Sequence, residues 1–183
     1  MFCQEFYFYA PRLGAWCGWV GDDPRKGKVV PHLYADADYA GCADTQRCTT
    51  GVHFAIEGPG TRFPISGISK RQGCISSSTP EAEIVAGNHA VKNVLIAGLD
   101  LWDVLLPGGY RSQFHEDNQA MIQVIKTGKN PTMRHLGRVH RVSVAWLHER
   151  LGDSYSEDRL PVDMTWDDTD RMSADIYPKA FTD

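Results

Sequence analysis

The alternation of apolar and polar residues predicts three short strands early in the chain. Residues 51–56 alternate three apolar side chains with a histidine and an alanine, which is typical of a half-buried strand. A Gly-Pro-Gly turn at 58–60 and a second run at 62–69 follow, so the two runs predict a hairpin. A shorter run, 31–36, predicts a strand that ends at the acidic residue Asp36.

Helical periodicity governs much of the remaining chain, and its clearest beginning is Thr79-Pro80-Glu81. Thr79 can cap a helix, Pro80 fits the first helical position, and Glu81 favours the positive end of the helix dipole. Apolar residues then recur at helical spacing as far as residue 106. Further strands are predicted at 112–117 and 162–166, and further helices at 118–127, 139–151 and 169–181. This order of elements predicts an α/β fold in which helices flank a mixed sheet.

The length of 183 residues suits one domain with a short extension. Residues 1–29 are predicted to form a separate lead-in segment. Their aromatic-rich start gives way to a polar stretch at 21–28 that has the composition of a linker. The compact domain is then predicted to span residues 30–183.

Net charge and cysteine content exclude few classes of function. A net charge of −4 argues mildly against nucleic-acid binding, but clusters of lysine and arginine matter more than the sum. Five cysteines without a Cys-x-x-Cys pair favour neither a disulfide framework nor a zinc site, so we expect a reducing, intracellular compartment. The start of the chain lacks a signal-peptide pattern, and no stretch predicts a membrane span.

Four acidic residues lie at or near predicted element boundaries: Asp36, Glu83, Asp117 and Asp175. Two divalent metal ions roughly 3.5–4 Å apart need such convergent oxygen ligands to clamp a phosphodiester for attack by water. A single acid of this kind is most often a solvated surface charge. The placement alone therefore leaves both interpretations open.

Four motifs in a fixed order carry a resemblance to a known family. They are Tyr-Ala-Asp-Ala-Asp-Tyr-Ala-Gly at 34–41, Ser-Lys-Arg-Gln at 69–72 with Ser-Thr-Pro-Glu-Ala-Glu at 78–83, Glu-Asp-Asn-Gln-Ala at 116–120, and Ala-Asp-Ile-Tyr-Pro-Lys at 174–179. The chain resembles the RNase H domain of Copia-type LTR retrotransposon polyproteins. The resemblance implies an RNase H-like fold, with a five-stranded mixed sheet flanked by helices. It also implies a ribonuclease H that cuts the RNA strand of RNA–DNA hybrids.

The resemblance further implies a catalytic and metal-binding tetrad that holds Mg²⁺, or alternatively Mn²⁺. Its four members would be Asp36, Glu83, Asp117 and Asp175. Asp38 and Glu81 would then be bystanders, Asp38 beyond the end of its strand and Glu81 serving the helix terminus. Glu116 is expected to point away from Asp117 if the strand continues past it.

Polar residues around the acids are candidates for contact with the hybrid. They are Gln119, Ser78, Thr79, Lys70 and Arg71. Hybrid recognition should rest on the backbone and on 2′-hydroxyls in the minor groove. The alternative roles are those of a helix residue, a helix cap and a solvated strand end. The expected protein partner is a reverse transcriptase domain of the same polyprotein, in the cytoplasm, the nucleus or a virus-like particle.

Two other functions remain open at this point. An integrase-like DNA strand-transferase would use three acids on the same fold, but it usually carries separate DNA-binding modules. A catalytically inactive or domesticated copy would keep the fold only for nucleic-acid binding. The four acids favour the nuclease over both alternatives.

Overall fold

Seven strands form one mixed sheet in the computed structural model, which describes residues 4–10, 14–23, 26, 29–42, 44–105, 109–153, 157 and 159–179. The strands are β1 (Gln4–Ala10), β2 (Gly14–Val20), β3 (Val30–Asp38), β4 (Thr49–Gly58), β5 (Thr61–Arg71), β6 (Ser112–Glu116) and β7 (Val162–Trp166). Their order across the sheet is β1-β2-β5-β4-β3-β6-β7. β6 runs parallel to both β3 and β7, and the other neighbouring pairs are antiparallel.

The strands β3 to β7 form the five-stranded mixed sheet that the sequence predicts. β3 pairs with β4 along its whole length, and it pairs with β6 from His32–Gln113 to Tyr34–His115. Because β3 and β6 are parallel, their carboxyl ends lie at the same edge of the sheet. Residues that follow these two strands are therefore brought close together.

The hairpin of β1 and β2 extends the sheet beyond β5, which β2 meets at Trp19 and Arg62. The sequence predicts no strand within 1–29, so β1 and β2 are additional to the predicted elements, and the lead-in segment itself stays a prediction. The aromatic residues at 6–9 have the strand propensity that explains β1. Residues 24–25 and 27–28 of the expected linker lie outside the described residues, and the domain boundary at residue 30 stays a prediction.

The long predicted helix consists of α1 (Thr79–Ala90), a π-helical turn (Val91–Leu95) and α2 (Ile96–Leu105). Ser78 caps it in place of the predicted Thr79, because the Ser78 hydroxyl accepts from the Glu81 N–H at 3.4 Å. The Asn93 amide donates to the His89 carbonyl at 2.9 Å, and this competition with the backbone accounts for the π turn. The predicted end at residue 106 lies outside the described residues. No described helix is both long and apolar enough to cross a membrane.

The helices that follow are α3 (Gln119–Thr127), α4 (Leu136–Val139) and α5 (Val144–Leu151). α3 confirms the helix predicted at 118–127, with Asn118 as its cap. The single helix predicted at 139–151 is broken because Arg141 takes a positive φ of 57° and Ser143 caps a new helix. The helix predicted at 169–181 is also wrong in its described part. A 3₁₀ turn (Thr169–Arg171) is followed by further turns, and Pro178 lacks the N–H that a helix would need there.

Both faces of β4 are covered, so the predicted half-buried strand is almost wholly buried. Phe54 packs beneath α2, where its ring lies against Gly98. On the other face Gly51 lies under the turns after β7: a Cβ at this position would meet Pro178 Cδ at 2.5 Å and the Ala174 oxygen at 2.6 Å. The absence of a side chain at Gly51 thus lets the C-terminal segment approach the sheet.

Candidate metal centre

Three acids from separate elements converge at the edge where β3 and β6 end. Asp36 lies near the end of β3, Asp117 follows β6 directly, and Glu83 projects from α1. One carboxylate oxygen from each lies within 4.8 Å of the other two. Asp36 and Glu83 are buried, and Asp117 is half-buried. Convergent carboxylates of this kind offer the oxygen ligands that Mg²⁺ prefers.

Asp175 lies beside this group and not within it. Its carboxylate forms an ion pair with the Lys179 ammonium group, and its negative charge contributes to a raised pKa of Asp36. Asp175 sits in a turn after the 3₁₀ helix, and not in the helix that the sequence predicts. Of the predicted tetrad, the structure therefore brings three acids together and leaves the fourth paired with a lysine nearby.

Burial and mutual repulsion make these carboxylates unfavourable as free anions. Burial, Asp175 and Asp117 raise the pKa of Asp36 to about 6. Burial also raises the pKa of Glu83, and the neighbouring Glu116 and Asp36 raise it further. A bound cation would favour the charged form of each group, so the site fits a divalent metal electrostatically.

Glu116 is a fourth acid beside this group, and it is buried, although the sequence predicts that it points away from Asp117. It lies on the same side of β6 as Phe114, which packs against α1, because residues two apart share a strand face. Its Oε1 accepts from the Asn118 N–H at 3.1 Å, whereas its Oε2 and the Oε2 of Glu83 are buried without a hydrogen-bond partner. Buried polar atoms without partners are rare, and these two oxygens fit a cation in the cluster.

Comparison with solved structures identifies the fold. RNase H1 from the halophilic archaeon Halobacterium salinarum matches with a TM-score of 0.50 and 15% identity, over 79% of this chain and 89% of that chain. LC11-RNase H1 isolated from compost matches with a TM-score of 0.48 and 13% identity, over 81% and 91%. The match to the archaeal RNase H1 shows that this chain has the RNase H fold. No model of a protein family matches the sequence.

Comparison with curated sequences finds a similarity to a retrotransposon polyprotein. The chain is 30% identical over 141 residues to the retrovirus-related Pol polyprotein from transposon TNT 1-94 of Nicotiana tabacum. This chain is an RNase H-fold relative of retrotransposon Pol polyproteins. The match covers 74% of the chain and 10% of the polyprotein, so this RNase H-fold domain spans only about a tenth of that relative's length.

Glu81 has a larger role in this RNase H-fold domain than the bystander role predicted for it. Its side chain is 1% exposed, and its two oxygens lie 2.7 Å from His140 Nε2 and 3.1 Å from His135 Nε2. It also accepts from the Ser77 N–H at 3.1 Å and from the Ser77 hydroxyl. Glu81 therefore ties the segment around α4 to the start of α1. Sequence spacing could not reveal these contacts, because the histidines lie more than fifty residues away.

The predicted substrate residues lie at three places around the acids. Gln119 is exposed at the first position of α3, and Ser78 and Thr79 lie at the start of α1. Lys70 and Arg71 are exposed at the end of β5. They line a cavity of about 180 Å³ together with residues from β4, α1 and the segment before α5, among them Thr50, Gln72, Asn88, His89 and His140.

Proposed function

We propose that this domain is a divalent-metal-dependent endoribonuclease that hydrolyses the RNA strand of RNA–DNA hybrids during reverse transcription of a Copia-type retroelement. The observation that carries the proposal is the convergence of Asp36, Glu83 and Asp117, with oxygens within 4.8 Å of one another. Burying carboxylates without compensation costs several kcal/mol per ion, on the order of the stability of a whole domain. A cluster kept at that cost supports a function that uses it.

The residues that would hold the metal are Asp36, Glu83 and Asp117, with Asp175 completing the set once it leaves Lys179. When bound, Mg²⁺ or Mn²⁺ would activate water and neutralise charge on the scissile phosphodiester. The protein holds the ligand oxygens in place beforehand, because Asp36 and Asp117 extend from paired strands and Glu83 from a helix packed on them. Preorganised ligands lower the cost of assembling the site.

Three exposed or half-buried groups would contact the hybrid next to these acids. Gln119 is two residues after Asp117, so its amide can reach the minor groove where 2′-hydroxyls mark the RNA strand. The Ser78 oxygen accepts from the Glu81 N–H, which leaves the hydroxyl proton free to donate to a backbone oxygen. Thr79 is exposed beside it and can do the same.

The cavity beside Lys70 and Arg71 would take a backbone phosphate of the hybrid. No acidic residue is among its lining residues, and the two basic side chains are exposed. His89 also lines the cavity, and its Nδ1 lies 2.9 Å from the Asn93 amide nitrogen. An amide nitrogen donates, so neutral His89 carries its proton on Nε2 and can donate to a phosphate.

The proposal extends to the partner domain and to the compartment in which this domain would act. The resemblance to Copia-type polyproteins favours a reverse transcriptase domain as partner in the same polypeptide, and the sequence match to a Pol polyprotein is consistent with that setting. Such a partner would deliver the hybrid as it is made, within the cytoplasm, the nucleus or a virus-like particle.

The decisive experiment is cleavage of a labelled RNA–DNA hybrid by this chain in Mg²⁺ and in Mn²⁺, alone and fused to a reverse transcriptase. We expect cuts in the RNA strand with 3′-hydroxyl and 5′-phosphate ends, and an intact DNA strand. Asp36→Asn and Asp117→Asn should each lower the rate by several orders of magnitude, because a lost ligand displaces the metal.

The matched control is Asp38→Asn, since Asp38 lies on the same strand and outside the three-acid group. It should keep most of the activity. A protein that binds hybrid but cuts nothing under any of these conditions would be an inactive binding module. Cleavage of duplex DNA in place of the hybrid would instead indicate a strand-transferase.

A further inference from the structure

The last residue of β7 and the segment after it hold the end of β6 through three hydrogen bonds. The Thr169 hydroxyl donates to Asp117 Oδ2 at 2.7 Å, and the Trp166 indole N–H donates to the Asp117 carbonyl at 3.0 Å. The Asp167 N–H donates to the Glu116 carbonyl at 3.0 Å. Both the backbone and the carboxylate of Asp117 are therefore held by residues about fifty positions away in sequence.

The turn that carries Thr169 is fixed by its own contacts. The Asp167 carboxylate lies 3.1 Å from His115 Nδ1, which anchors the turn to β6. The Asp168 side chain accepts from the Asp170 N–H at 3.2 Å and caps the 3₁₀ helix. The Arg171 N–H closes the turn by donating to the Asp168 carbonyl at 2.8 Å. Thr169 is thus presented to Asp117 by a rigid element.

Asp117 needs such support because it faces two other carboxylates. Like charges within a few ångströms repel, and a half-buried aspartate can relieve the repulsion by turning toward water. The Thr169 hydroxyl opposes that rotation by bonding one oxygen, and it leaves the second oxygen available to an ion. A valine at this position would fill the same space without the hydroxyl.

We propose that Thr169, assisted by Trp166, is a positioning residue that holds Asp117 in its metal-binding conformation. The proposal rests on the proposed function of the three-acid group as a metal centre. Partners that orient metal ligands typically account for about 10–100-fold in metal affinity or activity. Thr169 touches neither the metal nor the substrate in this scheme, and it acts only through Asp117.

The test compares Thr169→Val with Thr169→Ser in calorimetric titration of Mn²⁺ and Mg²⁺ into the protein without nucleic acid. We expect Thr169→Val to weaken metal binding by about 10–100-fold and Thr169→Ser to restore most of the loss. Trp166→Phe keeps an aromatic ring but loses the N–H, so its loss should be smaller. Thr165→Val is the matched control, because within the part of the chain that the structure describes the Thr165 hydroxyl donates only to the Phe114 carbonyl, at 3.4 Å, and not to Asp117.

A second measurement separates positioning from general damage. The metal dependence of hybrid cleavage by Thr169→Val should shift to higher metal concentration, and saturating metal should recover most of kcat. Equal metal affinity in Thr169→Val and wild type would overturn the proposal, as would a serine variant as weak as the valine variant. Because the titration contains no hybrid, a wild-type protein that binds metal but cuts nothing would refute the nuclease function alone.

Discussion

Replacing Asp36 with asparagine should stabilise the metal-free protein at neutral pH. Burial and the charges of Asp175 and Asp117 raise the pKa of Asp36 from its ordinary value of 3.8 to about 6. A difference of about two pKa units corresponds to about 3 kcal/mol between the protonated and charged forms. The folded state binds the Asp36 proton more tightly than the unfolded state, so the wild type loses this stability as pH rises from about 4 to 6. Asparagine cannot ionise and escapes the loss.

The assay is urea unfolding of wild type and Asp36→Asn in a chelator at several values between pH 4 and pH 7.5. We expect the stability difference to move in favour of Asp36→Asn by about 3 kcal/mol across this range, and to stay constant above about pH 7. Asp38→Asn serves as control, because Asp38 lies outside the three-acid group. A difference that does not change with pH would refute the electrostatic reasoning.

Divalent metal should reverse the order of the two proteins. A ligand at 100 times its Kd stabilises the folded state by about 2.7 kcal/mol, so Mg²⁺ or Mn²⁺ should raise the melting temperature of the wild type. Asp36→Asn lacks one ligand and should gain much less. An equal gain in both proteins would mean that Asp36 does not contribute to the metal site.

The remaining predictions concern the surroundings of the acids. Gly51→Ala should lower both metal affinity and hybrid cleavage, because its Cβ would push Ala174 and Pro178 outward with the segment that carries Asp175; unchanged values in a metal titration and a cleavage assay would contradict this. Glu81→Gln should lower stability by about 1–3 kcal/mol in urea unfolding, since it disturbs buried hydrogen bonds; an unchanged midpoint would refute it. Hybrid affinity in Ca²⁺ should exceed that in chelator at matched ionic strength, and by linkage hybrid should raise Ca²⁺ affinity by the same factor; equal affinities would refute the coupling.

The strands of the central sheet could be predicted because each has a local signal. Alternation identified β4, the turn at 58–60 and the run after it identified β5, and an acid marked the end of β3. Two helices predicted from local patterns differ in the structure, because contacts between residues distant in sequence determine the backbone conformation there. Turns replace the helix expected at 169–181, and they place Tyr177 against His53. The Tyr177 hydroxyl lies 2.8 Å from His53 Nδ1. The break at Arg141 likewise depends on packing around His140, which no local pattern records.

The candidate site shows the same division between local and distant determinants. The ends of β3 and β6 follow from strand positions, so Asp36 and Asp117 could be placed beside each other once parallel pairing was assumed. Glu116 was within reach of the same reasoning, because its alternation with Phe114 places it on the helix side of the sheet. The same reasoning could not show that Thr169 supports Asp117, since this contact depends on a turn about fifty residues later in the chain.

The net charge of −4 is unevenly distributed over the described residues. Several acids are turned inward to one cluster: Asp36, Glu83 and Glu116 are buried there, while Lys70 and Arg71 are exposed at the end of a neighbouring strand. The net charge therefore describes neither the acidic cluster nor the basic strand end, which are the two surfaces that a hybrid would meet. An anionic backbone approaching the cluster meets repulsion unless a cation occupies it, whereas the basic strand end attracts that backbone directly. Metal binding and hybrid binding must then favour each other, because each removes an electrostatic penalty that the other would otherwise face.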